Sequence, residues 1–563
     1  MKVVLVGINS KFVHSNLAIR YLEAFTRDLD YSCHLMEFSI NDKPERVVED
    51  IIAEKPRILG FSCYIWNIEF IRRVSTLIKL IDPKVEILYG GPEASFEANE
   101  FLKNHPGEYV IEGEGEETYR EFIKMKLKAK EEQTKSNFYI KGLYFKQNNE
   151  IIYGGRRALM DLHKVAFPYK EDDNLKNKIV YYEASRGCPF NCKYCLSSTT
   201  HGVRFIDIDR VKSELKYFIN KGVTLVKFVD RTFNCNIKFA NEIWKFIVEQ
   251  EGECSFHFEI SADLLGEDSL EILSKAKKGA IQFEIGVQST NIDVLESINR
   301  TIKFSNIKEK VEELNKIKNI KQHLDLIAGL PGENFESFKK SFNDVYSIHP
   351  DELQLGFLKL LKGSEMREEA NKWGMVYSPY PPYEIIKTKD ISYDELNTLK
   401  KIEHLVDKYN NSGKFINILK FLIEDGNFDT PFDFYLELSK FFELKGYFSR
   451  SISSSDYYEI FLNFGDFKGI KNPDMLKEIV KFDYLCFNKK KWLPELLQYK
   501  FDKNEEKEIK LYLKQNHIVE DINTITIHKF EYNLQDYLTK KVINMKSQFI
   551  VFFNNADDKY IFV

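Results

Sequence analysis

From the first residue to about residue 140, short apolar runs alternate with stretches of helical periodicity. KVVLVGI, CHLMEFSI, ILGFSCYI and VEILYGG have strand length, and helical spacing separates them over about 16–27, 44–54 and 68–81. GEYVIEGEGEETYREFIKMKL then reads as strand, loop and helix. Apolar strands interleaved with helices predict a parallel, doubly wound α/β sheet of the flavodoxin or Rossmann kind. Ligands of such sheets sit beyond the carboxyl ends of the strands. Those ends carry Gly7, Gly60-Phe61-Ser62, Gly90-Gly91-Pro92 and the acidic loop Glu112-Gly113-Glu114-Gly115-Glu116.

A polar stretch, KAKEEQTKSNFYIKGLYFKQNNEIIYGG, reads as a connector with a small hairpin. A second α/β series follows, with strands in IVYYEAS, VTLVKFVD, SFHFEIS, IQFEIGVQ, QHLDLIAGL and DELQLGFLKL. Helical patterns separate them near 210–220, 237–249, 269–277, 305–317 and 335–347. Most of these strands end in a polar or charged residue that can face a shared mouth, which suits a partial six-stranded barrel better than an open sheet. Beyond about residue 376 the character changes to aromatic-rich helical patterns. TITIHKFEY, SQFIVFF and KYIFV look like strands at the end, with NNADD as the turn between the last two. The expected organisation is 1–140, a connector over 141–175, a barrel domain over 176–375 and a mainly helical domain with a small terminal sheet over 376–563.

Length and composition agree with this division. A chain of 563 residues exceeds what one core usually serves, and 43% hydrophobic with 30% charged residues is ordinary for globular domains. A net charge of −5 with both signs nearly balanced gives no broad field for nucleic acid or an anionic membrane. No apolar run reaches a membrane span, and the opening MKVVLVGI reads as a first strand rather than a signal peptide. Eight cysteines, three clustered and five scattered, fit a reducing cytoplasm better than a disulfide framework.

The clustered three change the picture. Cys188, Cys192 and Cys195 stand at C-x3-C-x2-C within YYEASRGCPFNCKYCLSS. Three is an odd number for disulfides, and the loops would be very short. Three thiolates on one loop can hold a [4Fe–4S] cluster and leave one iron open to another ligand. They can also form a Cys3His zinc site completed by His201. Gly187 and Pro189 permit the tight path such a loop needs. At the other strand ends, Asp230 and Glu259 can hold ammonium or hydroxyl donors, Glu284 and Gln288 can hold hydroxyls, and Arg231 can pair with a carboxylate. Ser289 and Asp325 are further candidates at the mouth, and Gly329 to Gly332 can bring backbone close to a flat ring. An acidic strand end is commonly a solvated group or a helix cap. Cys235 reads as a small packing residue.

The triplet, with Tyr194 before its last cysteine, resembles the radical S-adenosylmethionine superfamily. FVDRTFN, FHFEISADLL, FEIGVQST, HLDLIAGLPGE and LGFLKLLKGS resemble that superfamily's strand ends. The resemblance implies a [4Fe–4S] cluster on Cys188, Cys192 and Cys195, with S-adenosylmethionine on the open iron. It implies reductive cleavage to methionine and a 5′-deoxyadenosyl radical, with the electron coming from a donor such as flavodoxin or ferredoxin. A doubly wound domain ahead of such a barrel, with GINSKFVHSN, LGFSCYIWN, YGGPEAS and EGEGEET, resembles the superfamily's cobalamin-binding group. There Ser62, Gly90 and Gly91 are implied to line the groove of the nucleotide tail. The D-x-H-x-x-G pattern of histidine-ligated cobalamin is missing, so His14 reads as a polar loop residue and cobalt is expected to have no protein histidine beneath it.

The resemblance implies methylation of an unactivated carbon of a small molecule through methylcobalamin. Cyclisation, rearrangement or oxidation with the same cofactors is an alternative that no residue excludes. A non-enzymatic corrinoid-binding protein with a structural zinc is an alternative of another class. A tRNA methylthiotransferase would need three further cysteines in the N-terminal region, which offers only Cys33 and Cys63.

Overall fold

The computed structural model describes residues 1–132, 139–148, 150–200, 202–425, 427–488, 493–499, 502–519, 521–554 and 559–563. They form two compact units, one of 1–338 with 356–393 and the other of 339–355 with 394–563.

The first unit opens with a mixed sheet. Its strands are β1 (Lys2–Asn9), β2 (Ser32–Ser39), β3 (Ile58–Ser62), β4 (Glu86–Gly90), β5 (Tyr109–Ile111), β6 (Leu143–Gln147) and β7 (Glu150–Tyr153), in the order β2-β1-β3-β4-β5-β6-β7. β2 to β5 pair in parallel in the order 2-1-3-4-5, and β6 and β7 extend the edge antiparallel. This is a doubly wound order whose switch point lies between β1 and β3. The apolar run of β1 shows why both faces are covered. Val4, Val6 and Ile8 belong to one buried cluster, and Val3 and Leu5 to the cluster on the other face. Helix Leu17–Ala24 starts where Asn16 caps Ile19 N–H. The same side chain fills the space above Gly7, where a Cβ would meet it at 2.7 Å. The predicted hairpin of the connector is β6–β7, and residues 133–138 and 149 of that stretch lie outside the described residues.

The second series gives β8 (Ile179–Tyr182), β9 (Ser185–Cys188), β10 (Gly202–Phe205), β11 (Leu225–Phe228), β12 (Ser255–Ile260), β13 (Ile281–Gln288), β14 (Lys321–Ala328) and β15 (Glu352–Phe357). The main sheet runs β15-β14-β13-β12-β11-β8, so β15 and β8 are its edges, as a six-stranded partial barrel requires. The five strands from β8 to β14 are parallel. Their register separates two faces. Tyr182, Phe228, Phe258 and Phe283 are fully buried on the side of the helices, while Tyr181, Lys227, His257, Gln282 and Lys321 stand in one row on the other. A polar inner row is unusual, because closed barrels fill their interior with branched apolar side chains.

β9 and β10 form an antiparallel hairpin that the sequence reading does not anticipate, since SRGC lacks an apolar face and GVRF offers only two apolar positions, Val203 and Phe205. Two short helices after β4, Pro92–Ser95 and Ala98–Asn104, and the paired strands β16 (Val376–Tyr377) and β17 (Ile385–Lys387) are likewise unannounced.

In the second unit, helices such as Ile416–Glu424, Pro431–Leu444, Asp456–Lys468 and Pro473–Phe487 pack around buried aromatics including Tyr409, Phe434, Tyr435, Phe442 and Phe461. The three terminal strands appear as β18 (Ile525–Phe530), β19 (Gln548–Phe553) and β20 (Tyr560–Phe562), an antiparallel sheet. Residues 555–558 of the expected turn lie outside the described residues. Among the described residues no helix is long and apolar enough to cross a membrane.

Candidate functional site

Cys188 is the last residue of β9, paired with Gly202 across the hairpin. Gly187 has φ +107° and a Cβ there would stand 2.0 Å from the Gly202 carbonyl oxygen, so the strand enters the cysteine loop through a position only glycine fits. The loop then turns on itself, with Cys195 N–H donating to the Cys192 carbonyl at 3.1 Å. It is tied down at Lys193, whose N–H donates to the Ile298 carbonyl at 3.1 Å and whose carbonyl accepts from Met366 N–H at 2.9 Å. Lys193 Nζ also pairs with Glu369 at 3.0 Å and Glu365 at 3.2 Å.

The three thiols are free, with Cys192 buried and the other two half-buried. Donors reach their sulfurs. Ser197 N–H approaches Cys195 Sγ at 3.4 Å, Arg300 Nη1 approaches Cys192 Sγ at 3.9 Å, and Thr232 Oγ1 lies 3.5 Å from Cys188 Sγ. Burial pushes the Cys192 thiol up, and Arg300 opposes it. Such donors suit thiolate ligands, whose sulfurs carry negative charge. Tyr194 is half-buried beside Cys192, its phenol pushed up by burial. Among the described residues no three His, Cys, Asp or Glu side chains gather as ligands of a single metal ion. His201, the zinc alternative's fourth ligand, lies outside the described residues.

The inner face continues from the loop. β12, β13 and β14 place Glu259 beside Glu284 and Glu284 beside His323, with Gly286 and Asp325 one step further toward the mouth. Burial pushes Glu259 up to about 7, with Glu284 adding to the effect and Arg231 opposing it. Asp325 is raised further, first by burial and then by Glu284 and Glu259. Glu284 is paired with Lys227 Nζ at 3.2 Å and His257 Nε2 at 3.4 Å. His257 is itself held neutral, driven down to about 3 by burial and by Lys227. β13 ends in an irregular register between Gly286 and Gln288, and Gln288 has φ +71°. Bulges and left-handed non-glycine residues of this kind re-aim side chains at functional sites.

Four buried polar atoms on this face have no hydrogen-bond partner among the described residues: His257 Nδ1, Gln288 Oε1, Arg300 Nε and Asp325 Oδ1. Unsatisfied buried groups in a native chain call for a bound ligand or a strained site. A ligand with an amino-acid head and ribose hydroxyls satisfies both the acceptors and the donor, so these residues fit S-adenosylmethionine.

Other expected residues are placed differently. Asp230 is 2% exposed and accepts from Ala184 N–H at 3.0 Å and Ser185 Oγ at 2.5 Å. Its carboxylate holds the start of the cysteine hairpin. Ser289 donates to Glu333 at 2.6 Å and is fully buried. Arg231 is more than half exposed and stands 3.9 Å from Glu259. Gly332 N–H donates to Asp390 at 2.9 Å. Arg300, Lys227 and His257 carried no sequence signal beyond their own type. Arg300 lies in INR after a helix, and only tertiary packing brings it to Cys192.

In the N-terminal domain, Ser62, Gly90 and Gly91 meet at adjacent strand ends. Ser62 accepts from Asn16 Nδ2 at 3.1 Å, no atom of the described residues beyond Gly90 and its chain neighbours lies within 4 Å of a Cβ built there, and Gly91 has φ +95° with its would-be Cβ 2.5 Å from the Cys63 carbonyl oxygen. An open slot floored by close-packed backbone is what a buried nucleotide tail requires. In the loops after β1 and β3, Phe12 is 72% exposed with Lys178 Nζ 3.8 Å from its ring centroid, and Trp66 is 47% exposed and stacked on Tyr64 at 4.4 Å. Burial pushes the Tyr64 phenol up to about 12, against the pull of Arg231 across the domain junction. His14 is bonded through Nδ1 to Tyr181 Oη at 2.7 Å and stacked on that ring, so it is committed to the barrel.

Comparison with known proteins agrees with this arrangement. Residues 3–123 match the B12 binding domain, residues 182–345 match the radical SAM superfamily, and residues 371–552 match the family described as protein of unknown function (DUF4080). The cobalamin-dependent radical SAM methyltransferase TokK of Streptomyces tokunonensis is 25% identical over 407 residues, 67% of this chain and 58% of that protein. The 2-(S-pantetheinyl)-carbapenam-3-carboxylate methyltransferase of Streptantibioticus cattleyicolor is 26% identical over 311 residues, 52% of this chain and 45% of its own. The chain thus spans about half the length of these curated relatives. In fold it is similar to the cobalamin-dependent S-adenosylmethionine radical enzyme OxsB solved with aqua-cobalamin and S-adenosylmethionine, with a TM-score of 0.58 at 14% identity over 93% of this chain and 82% of that one. The chain thus carries a match to the B12 binding domain followed by a match to the radical SAM superfamily, the domain order of the B12-binding radical S-adenosylmethionine proteins that it resembles.

Proposed function

We propose that the protein is a cobalamin-dependent radical S-adenosylmethionine methyltransferase acting on an unactivated carbon of a small molecule. The observation that carries this reading is Arg300, which reaches Cys192 with one nitrogen, binds the Gly286 carbonyl with another, and keeps a buried Nε without a partner among the described residues. One side chain thereby joins the cysteine loop to the mouth, where Gln288 and Asp325 keep oxygens without a partner among the described residues. The two curated relatives are named as methyltransferases, which favours methylation over cyclisation, rearrangement or oxidation. When bound, the cluster supplies the electron that splits S-adenosylmethionine, and the corrinoid carries the methyl group.

Cys188, Cys192 and Cys195 hold the cluster in this reading. Glu259, Gln288, Arg300 and Asp325 orient S-adenosylmethionine, with Arg300 suited to its carboxylate and the acids to its ammonium and hydroxyls. Glu284, already paired with Lys227 and His257, steadies the inner face beneath them. Ser62, Gly90 and Gly91 line the slot for the corrinoid tail, and His14 stays with Tyr181. Divisions near residues 140, 175 and 375 separate the corrinoid, barrel and C-terminal regions, and a low-potential flavodoxin or ferredoxin delivers the electron.

The test is anaerobic reconstitution with iron, sulfide and hydroxocobalamin, followed by dithionite-dependent formation of 5′-deoxyadenosine. About four irons per chain, bound corrinoid and cleavage lost in Cys192→Ala are expected. S-adenosylhomocysteine should accumulate alongside 5′-deoxyadenosine once a substrate is supplied. Turnover yielding methionine and 5′-deoxyadenosine alone would overturn the methylation step, and zinc in place of iron would overturn the whole reading.

A further inference from the structure

The hairpin that presents Cys188 is built around a charge conflict. Arg186 on β9 and Arg204 on β10 stand directly opposite each other in the register. Like charges in that position destabilise a strand pair, and a two-stranded ribbon has little stability of its own. The neutralising groups come largely from the N-terminal domain, from the acidic loop after β5. Arg204 Nη1 lies 3.0 Å from Glu114 Oε2. Arg186 Nη2 lies 2.5 Å from Glu116 Oε1, and Arg186 Nη1 lies 3.9 Å from Glu114 Oε1. Glu183 completes the set by pairing with Arg186 at 2.8 Å through Nε.

Glu114 therefore faces both arginines. It is itself fixed by Met160 N–H at 2.7 Å, while the Met160 carbonyl accepts from Arg204 at 2.6 Å. Arg186 also lies over the Tyr21 ring at 5.3 Å, on the first helix of the N-terminal domain. The contact is desolvated: the Glu116 side chain is 6% exposed and that of Arg186 14%. Removing one partner of such a pair leaves a buried charge uncompensated.

We propose that Glu114 and Glu116 are positioning residues for the cluster cysteines, setting the register of β9 against β10 and so the place of Cys188. They touch neither sulfur nor substrate. They act through Arg204 and Arg186, two residues from the hairpin pair Cys188 and Gly202. The consequence is that the domain presenting the corrinoid slot also fixes the frame of the cysteine loop. The distance between the two cofactor sites is then set by ion pairs at the domain junction rather than by the barrel alone. This inference rests on the cluster reading above.

The experiment compares the full-length reconstituted protein with Glu114→Gln and Glu116→Gln. Glu121→Gln serves as control, because Glu121 lies on the same helix as Glu116 but pairs with Arg157 at 2.7 Å, away from the hairpin. Iron per chain under limiting iron, the electron paramagnetic resonance of the dithionite-reduced cluster with and without S-adenosylmethionine, hydroxocobalamin uptake and the melting temperature are read together. The two test variants should hold iron about tenfold more weakly and show an altered resonance on adding S-adenosylmethionine, as loss of groups behind metal ligands does. Melting should fall below the control, because a buried arginine loses a partner, while corrinoid uptake stays close to the control. Glu116→Asp should restore part of the iron affinity. Unchanged iron affinity and resonance would overturn the inference, and so would iron lost only in step with corrinoid uptake. A wild-type chain that takes up neither iron nor corrinoid would instead overturn the functional reading beneath it.

Discussion

Among single residues, Asp230 shows how a strand-end acid can be used for structure. Its two acceptor bonds hold Ala184 and Ser185, immediately before the cysteine hairpin. Burial holds its carboxyl up to about 7, against an ordinary 3.8. Between roughly pH 4 and 7 the folded chain keeps this proton while the unfolded chain has released it, so the folded state binds more protons and loses stability as pH rises through that window. Stability of the apoprotein, measured by urea unfolding, should fall by about 4 kcal/mol from this group across the window, and Asp230→Asn should remove the slope. Asp230→Ala should cost about 1–3 kcal/mol more than Asp230→Asn, because the Ala184 N–H and Ser185 hydroxyl are left buried without an acceptor. The acid at this position was legible in FVDRTFN, but its direction was not. A strand end can turn toward the mouth or back beneath the preceding loop, and only packing chooses.

At the level of elements, the cysteine hairpin depends on one glycine. Gly187→Ala forces a Cβ onto the Gly202 carbonyl at 2.0 Å and asks a substituted residue to hold φ +107°. The expected outcome is loss of the β9–β10 pairing, with iron uptake falling to background while hydroxocobalamin binding persists, measured on the same preparation. The helix Pro473–Phe487 offers a different case, because it is buried on nearly every side and carries Lys481 inside. Lys481 Nζ sits 3.5 Å from the Tyr499 ring centroid and 4.3 Å from that of Phe530, and donates to the Lys529 carbonyl at 2.5 Å. Burial drives its amine down to about 8 from 10.5. Between those values the unfolded chain binds the extra proton, so stability rises with pH, by about 3 kcal/mol over the full interval. Urea unfolding at pH 8, 9 and 10 should show that rise in the wild type and its loss in Lys481→Met. A buried lysine inside an aromatic-rich helix gives no signal in the sequence, where it reads as one more solvated charge.

For the whole molecule, the chain order and the folded units do not coincide. Residues 339–355, from the last part of the barrel series, belong to the second unit. There Phe342 is fully buried and packs against Phe432 at 5.4 Å and Tyr435 at 5.9 Å. A chain ending at residue 393, at the expected domain boundary plus the short β16–β17 pair, would strip that cover from Phe342. It should be recovered mainly as aggregate, whereas Phe342→Ala in the full chain should fold with a loss of about 3–5 kcal/mol. Comparing soluble yield and unfolding midpoints checks both statements.

Period and spacing encode the part of this protein that can be read before the chain folds. Alternating apolar runs and helical stretches specified two successive α/β layers, because strands buried on both faces have no other use. Three cysteines on one loop, with a glycine before them, specified a metal-sulfur chemistry, because ligands contributed by a single loop are set by short-range spacing. Tertiary structure decided everything that depends on residues far apart in the chain. It brought Arg300 to Cys192, committed His14 to Tyr181, turned Asp230 beneath the hairpin, and set Glu114 between two opposed arginines. Each of these is a hydrogen bond or ion pair between residues many positions apart in the chain, which leaves no periodic mark in the sequence.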